Sequence, residues 1–242
     1  DWSSDVCSSD LDPATCVEAV AGVEVVYHLA SRVSVVESVS NPQLYREVVL
    51  DGTRNMLDAA ADAGVRRLVL ASSCSVYGDA PPPISEDAPL DPRSPYAAMK
   101  AEAEEACRAA PVSTVCPRFF NVYGARQRAD SPYSGVIAIF RRFATEGVPP
   151  TIFGDGLQTR DFIHVGDVVR GLMLAADASS VGRGEPINFG TGVATSVRDL
   201  AALLGCLPPG FEPARTGEVR HSSASTEQAR ERLGFRAETE LA

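Results

Sequence analysis

Short apolar runs alternate with amphipathic helical stretches through most of this chain, and that alternation restricts the fold more than any other feature. Residues 23–30 (VEVVYHLA) follow Gly22 as a compact apolar run, the pattern of a buried parallel strand. Asn41-Pro42 then opens a helix, with Asn41 as N-cap and Pro42 at the first helical position. Val49, Thr53, Met56, Leu57, Ala60 and Ala61 recur at helical spacing before Gly64 stops the helix. Residues 67–71 form the next strand, a Pro-rich connection without periodicity covers 80–95, a helix covers 96–109 and a strand 112–118. Strands and helices in this order imply an α/β fold with a doubly wound parallel sheet.

Beyond Gly124 the pattern loosens. It predicts a helix at 136–145, a strand at 151–153, a turn at Gly154-Asp155-Gly156 and a strand at 161–164. A helix at 167–176 with Asp167 as N-cap, a strand at 186–189 and helices at 197–204 and 226–233 follow, with Ser225 capping the last.

A net charge of −10 argues against nucleic-acid or anionic-membrane partners. No run of about 18 apolar residues or signal peptide is visible. The cysteines show no CxxC spacing, so free thiols in a reducing, cytoplasmic setting are expected, with no metal. Residues 1–11 (DWSSDVCSSDL) resemble a translated sequencing adaptor and are set aside from fold reasoning. The natural chain is therefore expected to be interrupted upstream of Asp12, and the C-terminal end to be cut as well.

Chemistry concentrates where strands end, since ligands of doubly wound sheets bind outside the carboxyl ends of the strands. One lysine exists against twenty-one arginines, and Lys100 stands one helical turn after Tyr96. An ammonium on a flexible stem can do what a rigid guanidinium cannot, namely sit under a ribose and lower a phenol's pKa.

The motifs around this pair are Ser72-Ser73-Cys74-Ser75-Val76-Tyr77-Gly78, Ser94-Pro95-Tyr96 with Lys100, and Arg118-Phe119-Phe120-Asn121-Val122-Tyr123-Gly124. Downstream come the stretch from Gly154 through Gln158, Arg160, Asp161 and His164 to Val165, and Asn188-Phe189-Gly190-Thr191-Gly192. In order and spacing they resemble the extended short-chain dehydrogenase/reductase family, and within it the NAD-dependent nucleotide-sugar epimerases and dehydratases.

That resemblance implies a Rossmann sheet, here lacking its first βα unit, with a small C-terminal substrate lobe. Residues 12–130 would form the partial NAD-binding domain, with 161–189 returning to it. Residues 131–160 and 190–242 would form the substrate lobe. The resemblance implies Tyr96 as general base, Lys100 on the nicotinamide ribose, and Ser73 hydrogen-bonding the reacting oxygen. It places Leu29, Ala30, Ser31 and Phe120 along the cofactor, with Asn121, Arg160, Arg215 and Glu218 on the substrate's nucleotide diphosphate. Thr151, Ile152 and Phe153 would flank the base. In the family, the helices at 42–63 and 96–109 form a four-helix contact, so a homodimer is expected.

Some positions depart from the family pattern. No GxxGxxG turn occurs, so the sequence lacks the anion site that takes the pyrophosphate, and weakened NAD binding is expected. Cys74 and Ser75 occupy places where dehydratases and decarboxylases carry acids, which points to oxidation and re-reduction at C4, an epimerase. Val49 and Met99 also differ from the usual Asn and Ser. The alternatives are a dehydratase or an NADP-dependent ketone reductase on the same fold, and a non-catalytic nucleotide-binding protein.

Overall fold

The computed structural model describes residues 10–127, 135–214 and 219–241. Helices α1 (Pro13–Val20) and α2 (Val35–Ser40) flank strand β1 (Val25–His28). A helical run follows: α3 (Pro42–Tyr45), a π-helical segment Arg46–Asp51, and α4 (Gly52–Asp62). Strands β2 (Arg67–Leu70) and β3 (Ser72–Ser73) precede α5 (Pro95–Ala109), β4 (Thr114–Phe119) and β5 (Asn121–Tyr123). Then come α6 (Val136–Glu146), β6 (Thr151–Phe153), β7 (Thr159–His164), α7 (Val165–Asp177) and β8 (Arg183–Phe189). The C-terminal part holds β9 (Ala194–Ser196), α8 (Val197–Leu203), β10 (Gly210–Glu212) and α9 (Glu227–Leu233).

β1, β2, β4 and β8 lie side by side in that order, all parallel, with β1 paired Val25↔Arg67 through His28↔Leu70. β3 continues the line of β2 after a break at Ala71 and pairs with the tip of β4. The period-two alternation of a strand assigns its neighbours to opposite faces. Leu68, Leu70 and Cys116 point into a core with α1, α4 and α5. Val69, Val115 and Ile187 point into a second core with α7, α9 and Phe235. Helices on both faces of one parallel sheet are the doubly wound architecture.

A smaller lobe stands beside the strand tips. β7 pairs parallel with β5 and antiparallel with β9, while β10 runs beside β6. Its core is Ile137 and Phe140 of α6, Ile152, Phe162, and Val197, Leu200 and Ala201 of α8. Along β7, Phe162 faces this lobe and Ile163 faces the main sheet, so one strand joins the two cores.

Three local expectations need correction. The helix expected from Asn41 is preceded by α2 and interrupted by the π segment. The wider turn buries Val48, Val49 and Leu50 consecutively, which an α-helix of one-sided burial does not do. Asn41 caps nothing with its side chain; its N–H instead closes α2 on the Glu37 carbonyl. Asp167 is not the cap of α7. The His164 ring accepts from the Gly166 N–H there, while Asp167 takes the Glu238 and Thr239 N–H groups and the Arg170 guanidinium. Ser225 does not cap α9: Thr226 holds the cap position without a side-chain bond. Asp10, counted at the sequence level with the excluded segment, is packed, its carbonyl accepting from the Asn55 amide at 3.0 Å.

Candidate active site

The Ser94 hydroxyl accepts from the Ala97 N–H at 3.1 Å and starts α5 under the strand tips, with Pro95 in the first turn. Tyr96 and Lys100 then fall one turn apart on the buried face, 8% and 3% exposed. The Lys100 Nζ donates to the Ala71 carbonyl at 2.7 Å, the carbonyl left by the break between β2 and β3. The Tyr96 ring packs edge-on against Tyr45, with centroids 6.3 Å apart. Ser73 lies close enough to the Tyr96 phenol to hold its pKa down, and its oxygen accepts from the Ser75 N–H at 3.2 Å. The turn-capping role and the phenol contact therefore coexist in one side chain.

The electrostatics differ from expectation in one respect. Burial pushes the Tyr96 phenol up to about 12, Ser73 pulls it back, and Lys100 is not among the groups acting on it. Burial lowers Lys100 to about 8 against the upward pull of Glu104, and it lowers His28 to about 4, Lys100 adding to that. The lysine sign is unusual. Between pH 8 and its unfolded value of 10.5 the unfolded chain binds more protons, so stability rises with pH across that window. Below pH 8 the full cost of burying the ammonium is present, at about 1.4 kcal/mol per pKa unit. Lys100→Met is therefore expected to melt higher than the native chain at pH 7, with the gap closing above pH 8. Thermal unfolding scanned from pH 7 to pH 10 measures it; a variant less stable at pH 7 would contradict the sign.

A second polar layer lies one turn further along α5 and was missed at the sequence level. Glu104 receives the Arg118 Nε and Nη2 at 2.9 and 2.6 Å and the Ser72 hydroxyl, with acid and guanidinium both 2% exposed. Arg118 also lies 4.6 Å over the Tyr77 ring. The spacing Tyr96, Lys100, Glu104 could have revealed it, since each step is one helical turn.

Asp161 is a second omission. Its Oδ1 accepts the Thr191 N–H and hydroxyl at 2.8 and 2.7 Å, and its Oδ2 the Gly192 and Ala224 N–H groups at 2.9 and 3.0 Å. It ties β7 to the Gly190–Gly192 turn. Cys74 lies in the electrostatic reach of Arg160, Asp161 and Tyr96, and burial pushes its thiol up to about 12.

The remaining expected residues divide. Asn121, Thr151, Ile152, Phe153 and Arg160 converge on one cavity of about 380 Å³, joined by Gln158 and by Phe140 and Phe143 of α6. Leu29 and Ala30 line another of about 220 Å³ at the tip of β1, with Asp10, Thr15, Cys16 and His28. Ser31 follows that tip, its hydroxyl turned to the Arg32 carbonyl. Phe120 is core, packed with Val76, Tyr77, Ile84 and Ala224. Arg215 and Glu218 lie outside the described residues.

The cofactor-side groups can be tested for fit to a dinucleotide. The buried ammonium of Lys100 has three donors and gives one to Ala71, leaving two for a diol. In the cavity at β1, both carboxylate oxygens of Asp10 and the His28 Nε2 are buried without a partner. Orphaned acceptors beside a strand tip suit the amine of a purine. The residues present fit.

A parallel sheet with a Ser, a Tyr and a Lys gathered under its strand tips defines the class of α/β proteins that shift hydride between a nicotinamide and a hydroxyl-bearing carbon. The model of the NAD dependent epimerase/dehydratase family matches residues 4–190, and this chain belongs to that family, an extended short-chain dehydrogenase/reductase. The chain is 39% identical over 252 residues to the UDP-glucose 4-epimerase of Mycolicibacterium smegmatis, covering 99% of this chain and 78% of that protein. Its fold matches the UDP-glucose 4-epimerase of Thermotoga maritima, solved with UDP-glucose, at TM-score 0.90 and 32% identity, over 96% of this chain and 79% of that one. MoeE5, solved with UDP-glucose and NAD, matches at TM-score 0.85 and 38% identity, over 93% and 78%. NAD is the cofactor of this family and of this chain.

Proposed function

We propose that the chain interconverts UDP-hexoses by inverting C4. The observation that supports this best is the grouping of Ser73, Tyr96 and Lys100 under the strand tips, with no free acid beside them among the described residues. Positions 74 and 75 are Cys and Ser, and Asp161 is held by four donors, so among the described residues no carboxyl is placed to expel a hydroxyl. NAD bound at this site would supply the oxidation and re-reduction at C4. Tyr96 takes the proton from the C4 hydroxyl and gives it back, while Ser73 holds the same oxygen. Lys100, charged below pH 8, would hold the ribose hydroxyls. Asp10 would accept from the adenine amine. Arg160 and Asn121 would hold the diphosphate, with Arg215 and Glu218 on the nucleotide.

UDP-galactose with saturating NAD should yield UDP-glucose. Release of a 4-keto-6-deoxy sugar instead would place the chain with the dehydratases. A cytoplasmic setting accords with the free described cysteines. A homodimer is also proposed. α4 and α5 frame an open groove of about 550 Å³, lined by Leu57, Glu102, Glu105, Ala106 and Ala109, against which a second copy's helices can pack. Sedimentation should show a two-chain species.

A further inference from the structure

Tyr45 is fully buried at the end of α3, and both ends of its side chain are engaged. Its ring meets the Tyr96 ring edge-on, with centroids 6.3 Å apart, in the small core shared with Val49 and Met99. Its hydroxyl donates to the Glu37 Oε2 at 2.9 Å and accepts from the Ser34 N–H at 3.0 Å. A phenol that donates to a carboxylate makes a charge-assisted bond, stronger than one between neutral groups.

Those bonds gather the segment that leaves the tip of β1. Ser34 caps α2, its Oγ accepting from the Glu37 N–H at 3.0 Å, and the Arg32 Nη1 reaches the other Glu37 oxygen at 3.2 Å. Residues 32–37 thus close on one phenol oxygen, directly after Leu29 and Ala30 on the cofactor-side cavity.

The Tyr96 ring needs such a wall. The Ser94 cap fixes the start of α5 but leaves the ring its side-chain torsions. Lys100 donates to the Ala71 carbonyl and is not among the groups acting on the phenol. Val49 and Met99 have apolar side chains held by packing alone, whereas Tyr45 is also pinned by two hydrogen bonds.

Resting on the epimerase reading above, we propose that Tyr45 is a positioning residue for the reaction. Glu37 and Ser34 fix its hydroxyl, and its ring edge holds the Tyr96 phenol in line with the C4 hydroxyl. Displacing a reacting group by about 1 Å can cost on the order of 10² in rate. The loss falls on the proton-transfer step and spares substrate binding, because Tyr45 is buried behind Tyr96.

Turnover of UDP-galactose under saturating NAD, with thermal melting alongside, tests this. The Glu37 side chain is 20% exposed, so the fold should accept Glu37→Ala. This variant and Tyr45→Phe are each expected to lower kcat about tenfold with KM held within about twofold. Glu37→Gln, whose amide oxygen still accepts from the phenol, should keep near-native kcat. Adding Glu37→Ala to Tyr45→Phe should cost nothing further, since the link is already cut. Native kcat in Tyr45→Phe, a loss carried by KM alone, or a second full loss in the double variant overturns the assignment. Tyrosine-ring NMR of Glu37→Ala, which leaves both rings chemically unchanged, reads the same link without substrate. The Tyr96 ring signals should move, and unmoved signals overturn the assignment. A native chain that converts no UDP-hexose overturns the epimerase reading instead, and the NMR comparison still decides Tyr45.

Discussion

Tyr96→Phe is expected to lower turnover of a UDP-hexose by well over ~10² with the fold preserved. The ring is what packs: it lies edge-on to Tyr45 and joins the small core of Val49 and Met99, and phenylalanine keeps those contacts. The lost hydroxyl bonds only with Ser73 among the groups acting on it, so the stability cost should be about 1 kcal/mol. What disappears is the atom that takes and returns the C4 proton. Product formation under saturating NAD, with circular dichroism confirming the fold, measures it. Undiminished turnover would remove the phenol from the reaction. At about 12 the phenol is a weak acid, so the native rate should climb with pH as the phenolate fraction grows. The variant should show no such slope.

The largest stability effect is expected one turn and more away from the chemistry. Glu104→Ala leaves the Arg118 guanidinium, 2% exposed, facing a void where two charge-assisted bonds stood. Breaking a buried pair from one side typically costs ~3–5 kcal/mol, because the remaining charge stays desolvated and unpaired. The Ser72 hydroxyl loses its acceptor as well. Replacing both partners by apolar residues of similar volume should recover much of that loss. Urea denaturation of the single and double variants decides it; a single-variant loss under about 1 kcal/mol would show that the pair contributes little.

How much of this was legible without coordinates depended on the kind of signal. Tyr96 and Lys100 were readable because a helix converts a spacing of four into a shared face, whatever else the fold does. The strand tips were readable because a buried parallel strand is a continuous apolar run that must end somewhere polar. The π segment was not readable: Val48, Val49 and Leu50 have no pattern that distinguishes a wide turn from an ordinary one. Phe120 was placed along the cofactor by resemblance alone, and its packing on Val76 and Ile84 was not readable because those contacts join residues far apart in sequence. Asp161 stood inside a recognised motif, but its partners come from residues that are distant in sequence. Asp167 misled because an acid early in a helix usually caps it, whereas here the incoming C-terminal segment takes its oxygens.

The break at Ala71 limits which length changes this scaffold tolerates. The loop from 80 to 95 can grow or shrink at its surface, but one residue added between Leu70 and Ser73 would turn the side chains of β3 to the other side of the sheet. It would also carry the carbonyl away from Lys100 and the hydroxyl away from Tyr96 in the same step. Relatives that keep this chemistry should therefore vary in loop length almost anywhere before they vary across those three positions.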